Sequence, residues 1–447
     1  MSEKNKLALF KSNPTKALLT LSIPMMMGMS VQAIYMLIDT AFIGKWVGGS
    51  ALAGLGIIFP PMFIIMGITF GLGSGATAVI AKSIGENNKE NADSAAEHTI
   101  FLGVLLSIIF ITIGYLFGDN IISFQGATGE VAKHASDYFY IMLCGTFFMI
   151  TSVFCRGILS GEGDNILPMK VLGLGTLINL ILDPVLIYLY QIKGAALATV
   201  ISQIVVFLVF AYVMIFKKRT YIYLNLMNFH FNKIIFLQIL KLGIPASLSM
   251  LIMSFGIFFY NTILSMSDYP ISAVAAYSTA HRIEHLFFIP LISIATSMVT
   301  LVGMFSGAKR IDLIDKVIIN GIKISLLISC SFGILFYFCS HMILPLFTND
   351  IEIINIGVGY FRIFSFAVPF ITMGMICSRV MQGLGKAYPM FVITCLRIIV
   401  ISCFLAYYFI IYLQKPINFA WYAILISCIS SSLISVAWMI SVRKNYR

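Results

Sequence analysis

Long apolar runs separated by short polar segments fill almost the whole chain. The runs are mostly about 20 to 25 residues long, the length that an α-helix needs to cross a bilayer. The strands of a membrane barrel would be about 10 residues long with strict apolar–polar alternation, and the chain has no such alternation. The pattern predicts twelve spans, over residues 17–42, 52–80, 95–117, 134–155, 168–190, 195–216, 237–265, 272–304, 317–340, 356–378, 389–412 and 419–441.

The composition agrees with a lipid environment. Of the 447 residues, 60% are hydrophobic and only 11% are charged, whereas a soluble domain carries about 25% charged residues. A soluble protein with so few charges would expose large apolar patches. In a bilayer the backbone must satisfy its own hydrogen bonds, which favours helices. We therefore expect an all-α integral membrane protein of twelve transmembrane helices.

The net charge of +11 bears on topology. Basic residues lie in short loops rather than in one patch, so the charge does not indicate nucleic-acid binding. An even number of spans puts both termini on one side, and that side carries 21 Lys and Arg against 4 on the other. Loops rich in Lys and Arg stay in the cytoplasm. We predict a multi-pass protein of the cell (inner) membrane with both termini cytoplasmic.

The chain contains an internal repeat of about half its length. Leu21-Ser-Ile-Pro24 recurs as Leu242-Gly-Ile-Pro245, and Tyr138 matches Tyr360 at nearly the same offset. Two glycine loops match in the same order, so the protein is a duplicated six-helix unit. Because six is even, both copies enter the membrane in the same direction. Such repeats form two bundles related by a pseudo-twofold axis along the membrane normal, with a cleft between them.

The repeat predicts three segments. Residues 1–216 form an N-terminal six-helix lobe, residues 217–236 form a cytoplasmic loop between the lobes, and residues 237–447 form a C-terminal six-helix lobe.

Two acids lie deep in predicted spans of the first half, Asp39 and Asp183. Tyr35 lies one turn before Asp39 and Asn179 one turn before Asp183, so each shares a face with its acid. Pro184 lacks an N–H and frees a backbone carbonyl one turn earlier. Acids within spans are costly and indicate function, and such an oxygen-rich group suits Na⁺ or H⁺. Alternatively, Asp39 ends helix one near the interface and Asp183 caps a kink.

The second half serves as an internal control for these acids. The positions equivalent to Asp39 and Asp183 are Tyr260 and Phe404, and neither is acidic. The acids are therefore not needed to build the six-helix unit, which favours a dedicated site in the first half.

A third deep acid, Glu284, lies in the sequence His281-Arg-Ile-Glu-His285. Arg282, Glu284 and His285 form a candidate polar cluster of the C-terminal lobe, in which Arg282 is the expected partner of Glu284. The cluster is either a structural ion group or takes part in handling substrate or protons.

Several motifs resemble those of the MATE (multidrug and toxic compound extrusion) transporters, most closely the DinF-type branch. The resemblance covers essentially the whole chain. Its most specific mark is the Asn-x-x-x-Asp-Pro element of the fifth span. The motifs are Ser22-Ile-Pro-Met-Met, Gln32-Ala-Ile-Tyr-Met-Leu-Ile-Asp39, Ala81-Lys-Ser-Ile-Gly-Glu, Arg156-Gly-Ile-Leu-Ser-Gly-Glu-Gly-Asp164, Asn179-Leu-Ile-Leu-Asp-Pro184 and Gly194-Ala-Ala-Leu-Ala-Thr199.

The resemblance implies a secondary antiporter of two six-helix lobes. Such a protein exports amphipathic organic cations, among them antibiotics and other xenobiotics, in exchange for H⁺ or Na⁺ by alternating access. The cation site, and a possible Na⁺ site, would be formed by Asp39, Asn179, Asp183 and Thr199, with Tyr35 and Tyr138 nearby. Another branch of the family has coupling acids on helices seven and ten, but those helices here contain none. No cofactor besides the coupling ion is expected, and the protein is expected to function as a monomer.

Other functional classes are less favoured by the sequence. The chain has neither a zinc-hydrolase motif nor a nucleophile-elbow motif, so we do not expect an enzyme. A channel would let its substrate pass without coupling that movement to an ion gradient. The closest alternative is a flippase of the same superfamily that moves lipids or lipid-linked oligosaccharides. A flippase for anionic lipid-linked sugars should place several basic residues in its cleft, and the spans here contain both basic and acidic ones.

Overall fold

The computed structural model describes residues 6–217 and 220–444. Within these residues, twelve helices are long and apolar enough to cross a membrane, and each coincides with one predicted span. The helices are α1 Pro14–Trp46, α2 Gly49–Gly85, α3 Lys89–Phe124, α4 Gly129–Gly161, α5 Ile166–Tyr190, α6 Ile192–Phe216, α7 Lys233–Leu264, α8 Pro270–Gly307, α9 Ile311–Leu346, α10 Ile351–Gly383, α11 Tyr388–Tyr412 and α12 Asn418–Lys444. The prediction of an all-α membrane protein is thus confirmed. Among the basic residues used for topology, Lys4, Lys218, Arg219 and Arg447 lie outside the described ranges.

Most helices extend beyond the predicted spans, and at two of them a capping residue lies where the helix begins. The side chain of Asn88 accepts a hydrogen bond from the N–H of Asn91 at 2.9 Å, so α3 begins at Lys89. Asp350 accepts in the same way from the N–H of Glu352 at 2.9 Å. Such caps satisfy the first free N–H groups and let a helix begin in a polar segment.

The described chain divides into two compact units. The first unit comprises Ile23–Gly243 with the N-terminal residues up to Ala8, and the second comprises Leu9–Ser22 and Ile244–Arg447. The helices α1 and α7 are each divided, one residue before Pro24 and one residue before Pro245. The beginning of each of these helices therefore groups with the unit that does not contain the rest of it, whereas the predicted lobes assign the whole helix to one half.

A small apolar cluster fixes the ends of four helices of the first unit. Its buried members are Ile43 of α1, Ala51 of α2, Ile187 of α5, and Ile192 and Ala195 of α6. Tyr138 of α4 packs against the same cluster. Burial of apolar surface at this point joins the helices that carry the predicted site residues.

The turn between α5 and α6 is too tight for any residue but glycine at position 194. A Cβ atom there would lie 1.9 Å from the carbonyl oxygen of Leu186. Gln191 at the same turn has a φ of +53°, a left-handed conformation that non-glycine residues seldom adopt. The turn folds α6 directly back along α5, so Thr199 comes to lie beside the polar part of α5.

Candidate functional site in the first unit

Asp183 is the centre of the candidate site. Its side chain is completely buried within the middle of α5. The Nδ2 atom of Asn179, one helical turn earlier, donates to Oδ1 of Asp183 at 3.0 Å. The hydroxyl of Tyr35, on α1, donates to Oδ2 of Asp183 at 3.1 Å. A buried carboxylate is tolerated only with such partners, and a hydrogen bond to a charged group stabilises by about 1.5–3 kcal/mol.

Asp39 lies one turn after Tyr35 on α1 and faces the same site. Its carboxyl group lies close enough to that of Asp183 for the two groups to interact directly. Two carboxyl groups can form a hydrogen bond with each other only if one of them carries a proton. The Oδ1 atom of Asp39 is buried and has no hydrogen-bond partner among the described residues. The two acids therefore lie together between α1 and α5.

Thr199 and Tyr138 complete the surroundings. The hydroxyl of Thr199, on α6, donates to the backbone carbonyl of Ala195 at 3.0 Å and also interacts with the hydroxyl of Tyr35. Tyr138, on α4, lies close enough to Asp39 and Asp183 for an electrostatic interaction with both. Pro184 directly follows Asp183 inside α5, so the carbonyl of Leu180 lacks its usual helical donor. The structure thus brings together the residues that the sequence analysis proposed for the first half.

A comparison with known families establishes what kind of protein carries this site. The profile of the MatE family matches the chain twice, over residues 24–185 and 245–408. The chain belongs to the MatE family. The two matches begin at Pro24 and Pro245, the prolines of the internal repeat, and so support the duplication. The chain is accordingly a membrane transporter and not an enzyme.

Individual relatives agree with this assignment. The probable multidrug resistance protein NorM of Thermotoga maritima is 26% identical over 435 residues, which is 95% of this chain and 92% of that protein. The multidrug export protein MepA of Staphylococcus aureus is 25% identical over 390 residues, covering 84% and 83%. A solved MOP superfamily transporter from Pyrococcus furiosus superposes with a TM-score of 0.94 at 30% identity, covering 100% of this chain and 99% of that one. That structure is described as having a binding pocket of reversed polarity that suggests a different function.

The second unit of this MatE protein holds its own buried acid, with partners that differ from the predicted one. Glu284 is buried in α8 and accepts a hydrogen bond from the hydroxyl of Tyr360, on α10. The Nδ1 atom of His281 lies 3.7 Å from Oε2 of Glu284. Arg282 and His285 are exposed. Residues one or two positions apart do not share a helix face, which explains why Glu284 is paired with His281 rather than Arg282.

Sequence reasoning missed Tyr360 and His281 as neighbours of Glu284. The repeat already matched Tyr360 with Tyr138, and each of these tyrosines lies near a buried acid of its own unit. The spacing of His281 and Glu284, three residues on one helix, was a second available indication. The repeat could not show that Tyr360 contacts Glu284, because these residues lie on different helices.

Proposed function

We propose that this protein exports amphipathic organic cations in exchange for H⁺, and that Asp39 and Asp183 carry the proton. The export function is supported by the names of its relatives, which are multidrug resistance and multidrug export proteins. The role of the acids is supported by one observation, the close approach of two carboxyl groups between α1 and α5.

The pair can couple proton binding to helix position. With one proton between them, Asp39 and Asp183 attract each other and hold α1 against α5. When that proton leaves, two negative charges face each other in a medium of low dielectric constant and repel. A ligand shifts a conformational equilibrium only when it binds one state more tightly than the other. The proton binds more tightly to the state in which the two carboxyl groups are close, because without a proton they repel each other.

The hydrogen bonds at Asp183 favour H⁺ over Na⁺ in this arrangement. Both oxygens of its carboxyl group already accept from donors, one from Asn179 and one from Tyr35. Sodium needs oxygen ligands, so Asn179 would have to turn its amide and present the oxygen instead. The hydroxyl of Thr199 donates to the carbonyl of Ala195 and keeps its oxygen lone pairs available, so it does not distinguish the two ions. A shared proton does not require the amide of Asn179 to turn.

Transport by purified protein in proteoliposomes tests this function. The vesicles are loaded with a fluorescent lipophilic cation, and a pH gradient and a Na⁺ gradient are imposed separately at matched membrane potential. We expect the pH gradient to drive export and the Na⁺ gradient alone to drive little. Export that depends on Na⁺ and not on pH would contradict proton coupling. Movement of labelled lipid between leaflets, with no movement of the cation, would favour the flippase.

A further inference from the structure

The segment that joins the two halves is held on the first unit by its own backbone. We call residues 220–232, between α6 and α7, the connector. The N–H groups of Tyr223 and Asn225 donate to Oδ1 of Asp93 and to Oε1 of Glu97, both at 2.9 Å. Both acids belong to the first turns of α3. Hydrogen bonds to carboxylates are stronger than those between neutral groups, so this part of the connector has a defined position.

Two further acceptors hold the ends of the connector. The N–H of Ile222 donates to Oε2 of Glu162 at 3.3 Å, and the N–H of Asn232 donates to Nε2 of His98 at 2.8 Å. Nδ1 of His98 lies 2.7 Å from the carbonyl oxygen of Ser94, so the neutral ring carries its hydrogen on Nδ1. Ile222 and Leu224 are buried against the unit. The connector therefore presents one fixed side to the outside.

That outer side carries large apolar side chains beside the exposed polar residues Asn228, His230 and Asn232. Met227 is 96% exposed, and Phe231 is also exposed. Ile234 and Leu237 continue the apolar surface along the first turns of α7. We call Met227, Phe231, Ile234 and Leu237 the interfacial face. In water a fixed group of such side chains would be costly, and an exposed apolar surface of this kind marks an interaction site.

The interfacial face continues into a surface that must contact lipid. The ring of Phe101 on α3 lies 6.0 Å from that of Phe231 and 5.4 Å from that of Phe229. Along α3 the exposed apolar side chains go on from Phe101 to Val104 and Ile108, within a predicted span. The connector is also tied at both ends to spans, since α6 ends at Phe216 and α7 begins at Lys233. Its outer side chains therefore lie close to the boundary of the bilayer.

Three exposed lysines flank the interfacial face. Lys217, Lys233 and Lys241 form no ion pair within the described residues, and Lys217 lies over the ring of Tyr212. The acids Asp93, Glu97 and Glu162 lie against the connector and accept its backbone N–H groups. An apolar face flanked by lysines suits a negatively charged leaflet.

We propose that the connector is an interfacial membrane-binding element whose interfacial face inserts among the headgroups of an anionic leaflet. The carboxylates of α3 and Glu162 hold its backbone, Met227 and Phe231 enter the acyl boundary, and the lysines contact lipid phosphates. This proposal is independent of the coupling ion and of the transported substrate.

Fluorescence quenching in vesicles tests the proposal with a matched pair of positions. In a full-length chain whose eight free cysteines are replaced, and which is first shown to retain export, single cysteines are placed by Met227→Cys and Asn228→Cys. Both positions are exposed, so neither substitution removes packing. Each cysteine carries an environment-sensitive fluorophore, and the vesicles contain a lipid with a nitroxide on its acyl chain. One set of vesicles is made of phosphatidylcholine alone and the other contains phosphatidylglycerol.

The expected result is that the nitroxide lipid quenches the label at position 227 several-fold more than the label at position 228. Quenching at position 227 should be greater in the vesicles with phosphatidylglycerol, and 1 M salt should remove the difference between the two lipids. Equal quenching of the two labels would overturn the insertion, and would indicate that the face binds a protein or stays in water. Equal quenching of position 227 in both lipids would overturn the preference for an anionic leaflet.

Discussion

Tyr35 shows how one hydroxyl group contributes to the acid pair. It shares a face of α1 with Asp39, as the sequence predicts, but its hydroxyl donates to Asp183 on α5. Tyr35 therefore links the two helices that the acids link. The hydrogen bond from Tyr35 to Asp183 therefore stabilises the state in which Asp39 and Asp183 are close together.

Removal of that hydroxyl by Tyr35→Phe should weaken coupling without unfolding the protein. The lost hydrogen bond to a charged group amounts to about 1.5–3 kcal/mol, which corresponds to at least a tenfold loss of pH-driven export rate at limiting gradient. The control is Tyr188→Phe, which makes the same change at an exposed position of α5. An unchanged rate for Tyr35→Phe, measured in proteoliposomes at equal protein density, would exclude Tyr35 from the site.

Glu284 tests whether the second unit also takes part in coupling. Its partners, Tyr360 and His281, satisfy it within the second unit. If it is a structural group, Glu284→Gln should retain more than half of the pH-driven export, because the amide oxygen still accepts from Tyr360. The variant is compared with the Asp39→Asn variant in the same assay. A loss as complete as that of Asp39→Asn would show that Glu284 also carries a proton of the cycle.

At the scale of elements, hydropathy predicted the spans well and their ends poorly. The apolar run of α3 begins near residue 95, whereas the helix begins at Lys89 because Asn88 caps it. Asp93 and Glu97, in the next two turns of the helix, also bind the connector. Hydropathy measures only transfer into lipid, so it carries no information on caps or on contacts made outside the membrane.

The turn between α5 and α6 gives a prediction about stability. Gly194→Ala places a methyl group against the backbone of Leu186, with no flexible side chain to yield. We expect a loss of more than about 3 kcal/mol, seen as a lower yield of monodisperse protein and a lower melting temperature in detergent. Gly173→Ala, on the same α5, meets no atom within 4 Å and should leave the melting temperature equal or higher. Equal melting temperatures for the two variants would contradict the tight turn.

Glu162, which holds the connector, predicts how the stability of the folded protein depends on pH. Burial raises the pKa of the Glu162 carboxyl from its ordinary 4.5 to about 7, although the N–H of Ile222 and the nearby Lys6 lower it. The folded protein therefore binds more protons than the unfolded chain between these pH values, so it loses stability as the pH rises from about 4.5 to about 7. The shift corresponds to at most about 3 kcal/mol.

Glu162→Gln should remove this pH dependence, because the amide oxygen still accepts from Ile222 and carries no charge. We expect the melting temperature in detergent to fall more between pH 5 and pH 8 in the unmodified protein than in the variant. Glu90→Gln removes a charge from an exposed site of α3 and should retain the behaviour of the unmodified protein. Parallel curves for Glu162→Gln and the unmodified protein would contradict the burial of a titrating carboxylate at this position.

At the scale of the whole molecule, the repeat was the most informative feature of the sequence. Pro24 and Pro245 mark the beginning of both family matches and the points where α1 and α7 divide between the compact units. The sequence predicted the duplication but not this division. Which unit the first turns of a helix join depends on packing between distant segments, and no local pattern in the sequence records it. The cytoplasmic location of both termini stays a prediction from charge.

The sequence also predicted the contacts of the site within one helix but not those between helices. Spacing alone paired Asn179 with Asp183, because both lie one turn apart on α5. It also found Asp39 and Tyr35 on one face of α1. That α1 faces α5, so that Asp39 and Asp183 meet, followed only from the family resemblance. Helical periodicity describes the faces of single helices, whereas a transport site is built between them.

The central claim is that the carboxyl pair of Asp39 and Asp183 couples proton movement to export. The most direct test is pH-driven export by the Asp183→Asn variant, reconstituted at the same density as the unmodified protein and shown to be folded by its melting temperature in detergent. Asparagine retains the shape of the side chain and one of the two acceptor oxygens, but it cannot bind or release a proton. We expect the variant to lose export against a gradient and to retain binding of the organic cation. Full pH-driven export by Asp183→Asn would contradict a role of this carboxyl pair in coupling.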